Sequence, residues 1–275
     1  MIDFDGIERP DDTGAHMLAM PFSAPKKIKT PKDILNRNPA ARFFGYILRV
    51  FVYIVLNILY AFLYRFRELG QNRRRALKGS PVVVVSNHCH TLDITLTPVR
   101  FMPRMLYITS RLENFSIPVL GGLIRALGAV PIPYDLKAMR MFDEAVSGLL
   151  ADKKAVMFLP EAAMWPRYRD LRPFKKGAFR YAVRADAPVL PAVVTIRNVR
   201  KSLKKTRRRL TLTYLAPVYP DPTLPEPAAI QKLMTDVHKK MRAYILVSRV
   251  DDVYTRRYRR QYARISAAQK AAEQV

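Results

Sequence analysis

Residues 81–93 read Pro-Val-Val-Val-Val-Ser-Asn-His-Cys-His-Thr-Leu-Asp. Four consecutive valines, too short a run for a helix and with no polar alternation, predict a strand buried on both faces. A parallel sheet covered by helices requires such strands. The chain turns polar immediately after Val85, and in open α/β sheets ligands bind beyond the carboxyl ends of the strands. Ser86 or Asn87 is suited to cap a following helix. His88 would then lie near a helix N-terminus, where the dipole disfavours the imidazolium. Asp93, five residues on, can reach the far ring nitrogen and fix the tautomer. A histidine oriented in this way is a general base for a hydroxyl, worth roughly 10²–10⁴ in rate.

Downstream of this stretch, short apolar runs alternate with helical periodicity. Strands are expected at residues 105–109, 129–132, 155–159, 189–196 and 210–215. Helices are expected at 92–101, 119–127, 177–185 and 228–247. Leu136, Met139, Phe142, Val146 and Leu149 mark one more helix. This alternation predicts an α/β fold with a largely parallel sheet covered by helices. Residues 201–209 carry six positive charges and read as a connection between two strands.

Upstream, residues 43–64 form an apolar segment interrupted by Arg49 and Asn57. Its length, roughly 33 Å as a helix, approaches the hydrocarbon thickness of a bilayer. Basic residues flank both sides: Lys26, Lys27, Lys29, Lys32, Arg37 and Arg42 before it, and Arg65, Arg67, Arg73, Arg74, Arg75 and Lys78 after it. Near-symmetric flanks fit a helix lying in an anionic leaflet better than a span. A single span and a buried core helix remain the alternatives. The expected organisation is a poorly ordered N-terminus at 1–30, a basic-flanked membrane-associating segment at 31–78 and a catalytic domain at 79–250. A basic helix at 251–275, with Tyr254, Tyr258, Tyr262 and Ile265 on one face, completes it.

The 275 residues include 48 Lys and Arg against 22 Asp and Glu, a net charge of +26. Such an excess calls for an anionic partner: a membrane surface, a phosphate-bearing substrate or nucleic acid. Cys89 is the only cysteine, which excludes an internal disulfide and fits a reducing compartment. The first residues hold Asp3, Asp5, Asp11 and Asp12 and no apolar run, unlike a secretory signal. Attachment to the cytoplasmic face of a membrane is therefore expected.

The segment Asn87-His88-(four residues)-Asp93 resembles the NHxxxxD block of the glycerolipid acyltransferase family. Three further blocks are similar, in family order. Residues 127–134, Leu-Gly-Ala-Val-Pro-Ile-Pro-Tyr, resemble the second. Residues 158–163, Phe-Leu-Pro-Glu-Ala-Ala, with Phe174-Lys175-Lys176-Gly177 after them, resemble the third. Residues 187–193, Ala-Pro-Val-Leu-Pro-Ala-Val, resemble the fourth. The resemblance implies acyl transfer from acyl-CoA or acyl-carrier protein, as co-substrate, to a lysophospholipid hydroxyl, most simply that of 1-acylglycerol-3-phosphate. No metal or other cofactor is implied. It gives His88 the role of base and Asp93 that of orienting group, with Asn87 and Glu161 on the substrate side. Two departures fall on the acceptor side. Tyr134 stands where the second block usually ends in Arg, and Ala162-Ala163 stand where the third reads Gly-Thr. Lys175 and Lys176, preceding a helix near Gly177, are the preferred replacement cations for the acceptor phosphate.

Other readings of the same residues are weaker. His88, His90 and Asp93 form the start of a metal array, but His16 and His238 are the only other histidines and neither is near in sequence. Cys89 beside a catalytic histidine reads as packing sooner than as an acyl carrier. A nucleic-acid-binding module would explain the charge, yet the basic clusters flank an apolar helix instead of interleaving with aromatics on a sheet face. A relative that has lost activity would explain Ala162-Ala163, but it leaves the retention of His88 and Asp93 without a reason.

Overall fold

The structure is a computed structural model, and it describes residues 27–36, 38–89, 93–165, 168, 170–202 and 205–249. The reading of 1–26 and 251–275, and any role of His16 or His90, lies outside the described residues. In chain order the elements are α1 (Pro31–Ile34), α2 (Pro39–Tyr64), β1 (Arg67–Leu69), α3 (Gln71–Ala76), β2 (Val82–Ser86), α4 (Asp93–Phe101) and β3 (Leu106–Arg111). After a 3₁₀ turn come α5 (Leu120–Ala126), β4 (Ala129–Ile132), α6 (Leu136–Ala151), β5 (Ala155–Phe158) and α7 (Gly177–Arg184). The strands β6 (Val189–Ser202) and β7 (Lys205–Tyr214) and the helix α8 (Glu226–Arg249) complete the series.

One sheet runs in the order β1-β7-β6-β2-β5-β3-β4. The five strands β6, β2, β5, β3 and β4 are mutually parallel. Strand β7 turns back antiparallel to β6, and β1 pairs with β7. The valines of β2 show why both faces must be covered. Val83 and Val85 pack into one core with α6, α7 and α8, while Val82 and Val84 pack into a second core with α2 and α4. All four are fully buried, as a strand with period-two side chains and a helix layer on each face requires.

Two expectations are corrected here. Residues 201–209 do not form a connection: β6 and β7 continue as an antiparallel hairpin to the pair Ser202↔Lys205. Their run of charged residues hides the strands from a reading that relies on apolar alternation. The sheet also begins before residue 79, since β1 is hydrogen-bonded to β7.

Helix α2 has two characters. Gly45, Arg49, Tyr53 and Tyr60 lie on its buried side. Phe43, Phe44, Phe51, Ile54, Ile58 and Phe62 are each more than half exposed. A Cβ at Gly45 would sit 3.1 Å from the Ala126 carbonyl oxygen, so the glycine permits close approach of α2 to the end of α5. Arg49, which interrupts the apolar run in sequence, faces the protein and leaves the outer face apolar. By length and composition α2 can cross a membrane.

Candidate active site

The site lies just past the carboxyl end of β2, between β6 and β5. Strand β2 leads towards β3 and β5 towards β6, so the polar segment after Ser86 opens at a topological switch point. Asn87 is buried, and its amide donates to the Val194 carbonyl at 2.9 Å and accepts from the Val194 N–H at 2.8 Å. It thus extends the β2–β6 ladder by one side chain. Neither Asn87 nor Ser86 has its side chain engaged as a helix cap: the Asn87 amide is spent on Val194, and the Ser86 hydroxyl donates to the Asn87 carbonyl at 3.3 Å.

His88 is fixed by its backbone before its side chain is considered. Its N–H donates to Glu161 Oε1 at 2.8 Å, and its carbonyl accepts from the Trp165 N–H at 3.4 Å. The ring Nδ1 faces Asp93 Oδ2 at 3.4 Å, and the same oxygen accepts the Cys89 N–H at 2.7 Å. Asp93 is fully buried, whereas the His88 side chain keeps 17% of its surface open. With Nδ1 held by the carboxylate, Nε2 is the nitrogen left to meet a reactant. The pairing expected from sequence is therefore present.

Glu161 is placed differently from the expectation of a substrate contact. It is 3% exposed, and its two oxygens accept backbone N–H groups of His88 and, at 3.1 Å, Arg172. Burial pushes its carboxyl up to about 7, against the pull of those two N–H donors and of the Arg172 guanidinium. Spent on the backbone, it buckles the turn at His88 to the backbone at Arg172. Asn87 likewise has both amide ends engaged and is not free to meet a substrate.

Arg172 is the residue sequence reasoning missed. It is buried, donates to the carbonyls of Ala163 and Glu161, and stacks on Trp165 at 4.6 Å. The signal was available in Arg172-Pro173 directly ahead of the Phe174 block. Ala162, where the family has glycine, holds φ at +62°, the left-handed region a glycine enters freely. The turn has kept a glycine-like path at a cost of about 1–2 kcal/mol.

The Cys89 Sγ is buried beside Asn87 Nδ2, and burial raises its thiol well above the usual range. A neutral buried thiol is packing, and not a nucleophile. Lys175 and Lys176 are exposed; the Lys175 N–H bonds to the Pro160 carbonyl, which sets this pair beside Glu161 at the start of α7. At the second-block position, the Tyr134 hydroxyl donates to Glu113 Oε1 at 2.6 Å, and Glu113 Oε2 pairs with Arg111 Nε at 3.3 Å. An arginine is thus held at this edge, on β3, although position 134 lacks one. Among the described residues, no three His, Cys, Asp or Glu side chains are grouped to hold a metal ion.

The acyltransferase family model matches residues 67–195. The chain is 32% identical over 137 residues to the human 1-acyl-sn-glycerol-3-phosphate acyltransferase beta, covering 49% of this chain and 48% of that one. It is 26% identical over 122 residues to the 1-acyl-sn-glycerol-3-phosphate acyltransferase of Saccharomyces cerevisiae, covering 43% and 40%. The chain therefore spans about half the length, or less, of these curated relatives. A crystal structure of the 1-acyl-sn-glycerophosphate (LPA) acyltransferase PlsC from Thermotoga maritima superposes with a TM-score of 0.49 at 21% identity, over 73% of this chain and 78% of that one.

Proposed function

We propose that residues 67–195, which match the acyltransferase family model, form a glycerolipid acyltransferase domain, and that the chain acylates the free hydroxyl of a lysophospholipid, 1-acylglycerol-3-phosphate in the first instance, using an acyl thioester. The observation that carries this reading is the His88–Asp93 pair held at the carboxyl end of β2. His88 Nε2 takes the acceptor's hydroxyl proton as the oxygen attacks the thioester carbonyl. The tetrahedral intermediate collapses to an ester, and the departing thiolate recovers the proton from the imidazolium. A thioester is already activated, so a positioned base supplies much of what is needed. Asn87 and Glu161 act as positioning residues behind His88. The donor is acyl-CoA or acyl-carrier protein, with no further cofactor.

The test is to incubate purified protein with labelled acyl-CoA or acyl-carrier protein and a panel of lysolipids, and to read products by mass spectrometry. Transfer to none of the lysolipids from either donor overturns the reading. For the acceptor phosphate we retain Lys175 and Lys176. A charge-assisted hydrogen bond contributes roughly 1.5–3 kcal/mol. Lys175→Ala and Lys176→Ala are therefore expected to raise the acceptor KM by roughly tenfold or more, leaving the donor KM little changed. Preference of the wild type for an uncharged lysolipid would remove this role from both lysines.

Membrane attachment, in this reading to a cytoplasmic face, rests on the apolar outer side of α2. Phe51→Glu with Phe62→Glu places two charges where Phe51 is 65% and Phe62 74% exposed. The double variant is expected to lose at least about tenfold in partitioning to neutral vesicles, since each lost aromatic burial is worth about 1.5–3 kcal/mol. Unchanged partitioning would place the attachment elsewhere. Nucleic acid has no part in this reading.

A further inference from the structure

A second site lies at the opposite end of the sheet from His88. A cavity of about 1460 Å³ opens beneath the N-terminal half of α2, bounded by the turn before β2, the start of β3 and the ends of α5 and α6. It adjoins the amino ends of the strands. The five residues of β2, about 17 Å at 3.3 Å each, separate it from the catalytic pair. Among the described residues that line it, nine are Lys or Arg and Asp152 is the single acid.

Part of that charge is already used structurally. Arg104 donates to the carbonyls of Leu77, Ser80 and Lys153, Arg125 to that of Asp33, and Arg74 pairs with Glu68. Four others have no counter-charge among the described residues: Arg42, Arg75, Lys78 and Lys153 are exposed on the rim, Arg75 reaching the Gln71 amide oxygen at 3.5 Å, and none forms an ion pair with a carboxylate. The decisive residue is Arg49. It is 4% exposed, its terminal nitrogen reaches only the Ala126 carbonyl at 3.2 Å, and its Nε has no acceptor among the described residues. Burying an ion without a counter-charge costs several kcal/mol, and the Ala126 carbonyl, at the end of a seven-residue helix, offsets only part of that. A guanidinium at the wall of a cavity rimmed by further cations suits a tetrahedral oxyanion, which accepts from both kinds of donor.

We propose that this cavity is a phosphate-binding site, separate from the catalytic centre, that takes the headgroup of an anionic glycerophospholipid. Phe43 and Tyr46 select the lipid. Both line the cavity, and both are also exposed on the apolar side of α2. A headgroup bound at Arg49 can therefore leave its acyl chains along the same helix. The site neither supplies nor consumes a reacting group, and its occupancy is independent of acyl transfer.

The test is lysine acetylation of the full chain on vesicles, read by mass spectrometry. The vesicles are phosphatidylcholine alone, phosphatidylcholine with phosphatidic acid, and phosphatidylcholine with inorganic phosphate added. Phosphatidic acid is expected to slow modification of Lys78 and Lys153 by roughly tenfold, the change that 1.4 kcal/mol of binding brings. Lys137, at the far end of α6, and Lys239, on α8, should change little. Protection should disappear in Arg49→Gln and in the rim variant Arg42→Gln/Arg75→Gln, whose exposed positions leave the core untouched. It should persist in His88→Ala, so that failure of the acyl-transfer reading would not affect it. Equal protection by inorganic phosphate alone supports the phosphate site and makes its source soluble. Equal slowing of all four lysines, or protection that survives both sets of variants, overturns the proposal.

Discussion

His88→Ala is expected to lower kcat by roughly 10²–10⁴, the contribution of a positioned general base, while the protein folds as before. The separation is expected from how His88 is held. Its N–H bonds to Glu161 and its carbonyl bonds to Trp165, and both contacts use backbone atoms that alanine retains. The ring itself is partly open to solvent, so its removal leaves a small defect. Asp93→Asn should fall nearly as far. An asparagine oxygen can still accept from Cys89, but it carries no charge to stabilise the imidazolium that forms when the acceptor is deprotonated. Single-turnover measurement with a saturating lysolipid checks both. A His88→Ala enzyme with near wild-type turnover would show that another group removes the proton.

How much of this was legible in the sequence follows from how far apart the interacting residues are. The valine run of β2 and the spacing from His88 to Asp93 are local, and both were readable. Period-two burial on two faces was implied as soon as four valines stood together. Asn87 was misassigned as a cap because its true partner, Val194, is 107 residues away on β6. Glu161 was assigned to the substrate for the same reason: its bond to the His88 N–H spans 73 residues, and no local pattern records it. The hairpin beyond Ile196 was missed on different grounds. Strand prediction depends on alternation of apolar and polar residues, and Lys205-Thr206-Arg207-Arg208-Arg209 shows none. Arg49 was read as a break in an apolar helix. The fold instead turns that one charge inward, at a position in line with Gly45 and Tyr53.

Glu161→Gln tests the buckle behind His88, and its two readouts should diverge. The folded carboxyl titrates at about 7 against an ordinary 4.5. A carboxyl raised in the folded state favours folding fully below pH 4.5 and loses that contribution as pH rises through about 7. The difference corresponds to about 3 kcal/mol at 1.36 kcal/mol per unit. Wild-type stability should therefore decline between pH 4.5 and 7, and the glutamine variant should not share the decline. At pH 8 the variant escapes the cost of a buried anion but leaves one backbone N–H, of His88 or Arg172, facing an amide NH₂. An unpaired buried donor costs about 1–3 kcal/mol, so the two changes nearly cancel and the variant should fold about as well as the wild type. Activity has no such compensation. If the amide turns its oxygen to Arg172, the His88 backbone is released. A displacement of about 1 Å at a catalytic group can cost 10²-fold in rate. Chemical denaturation from pH 4.5 to 8 and kcat at pH 8 measure the two effects separately. A variant with wild-type kcat, or one whose stability falls with pH as the wild type's does, would mean that Glu161 does not hold the catalytic turn in this way.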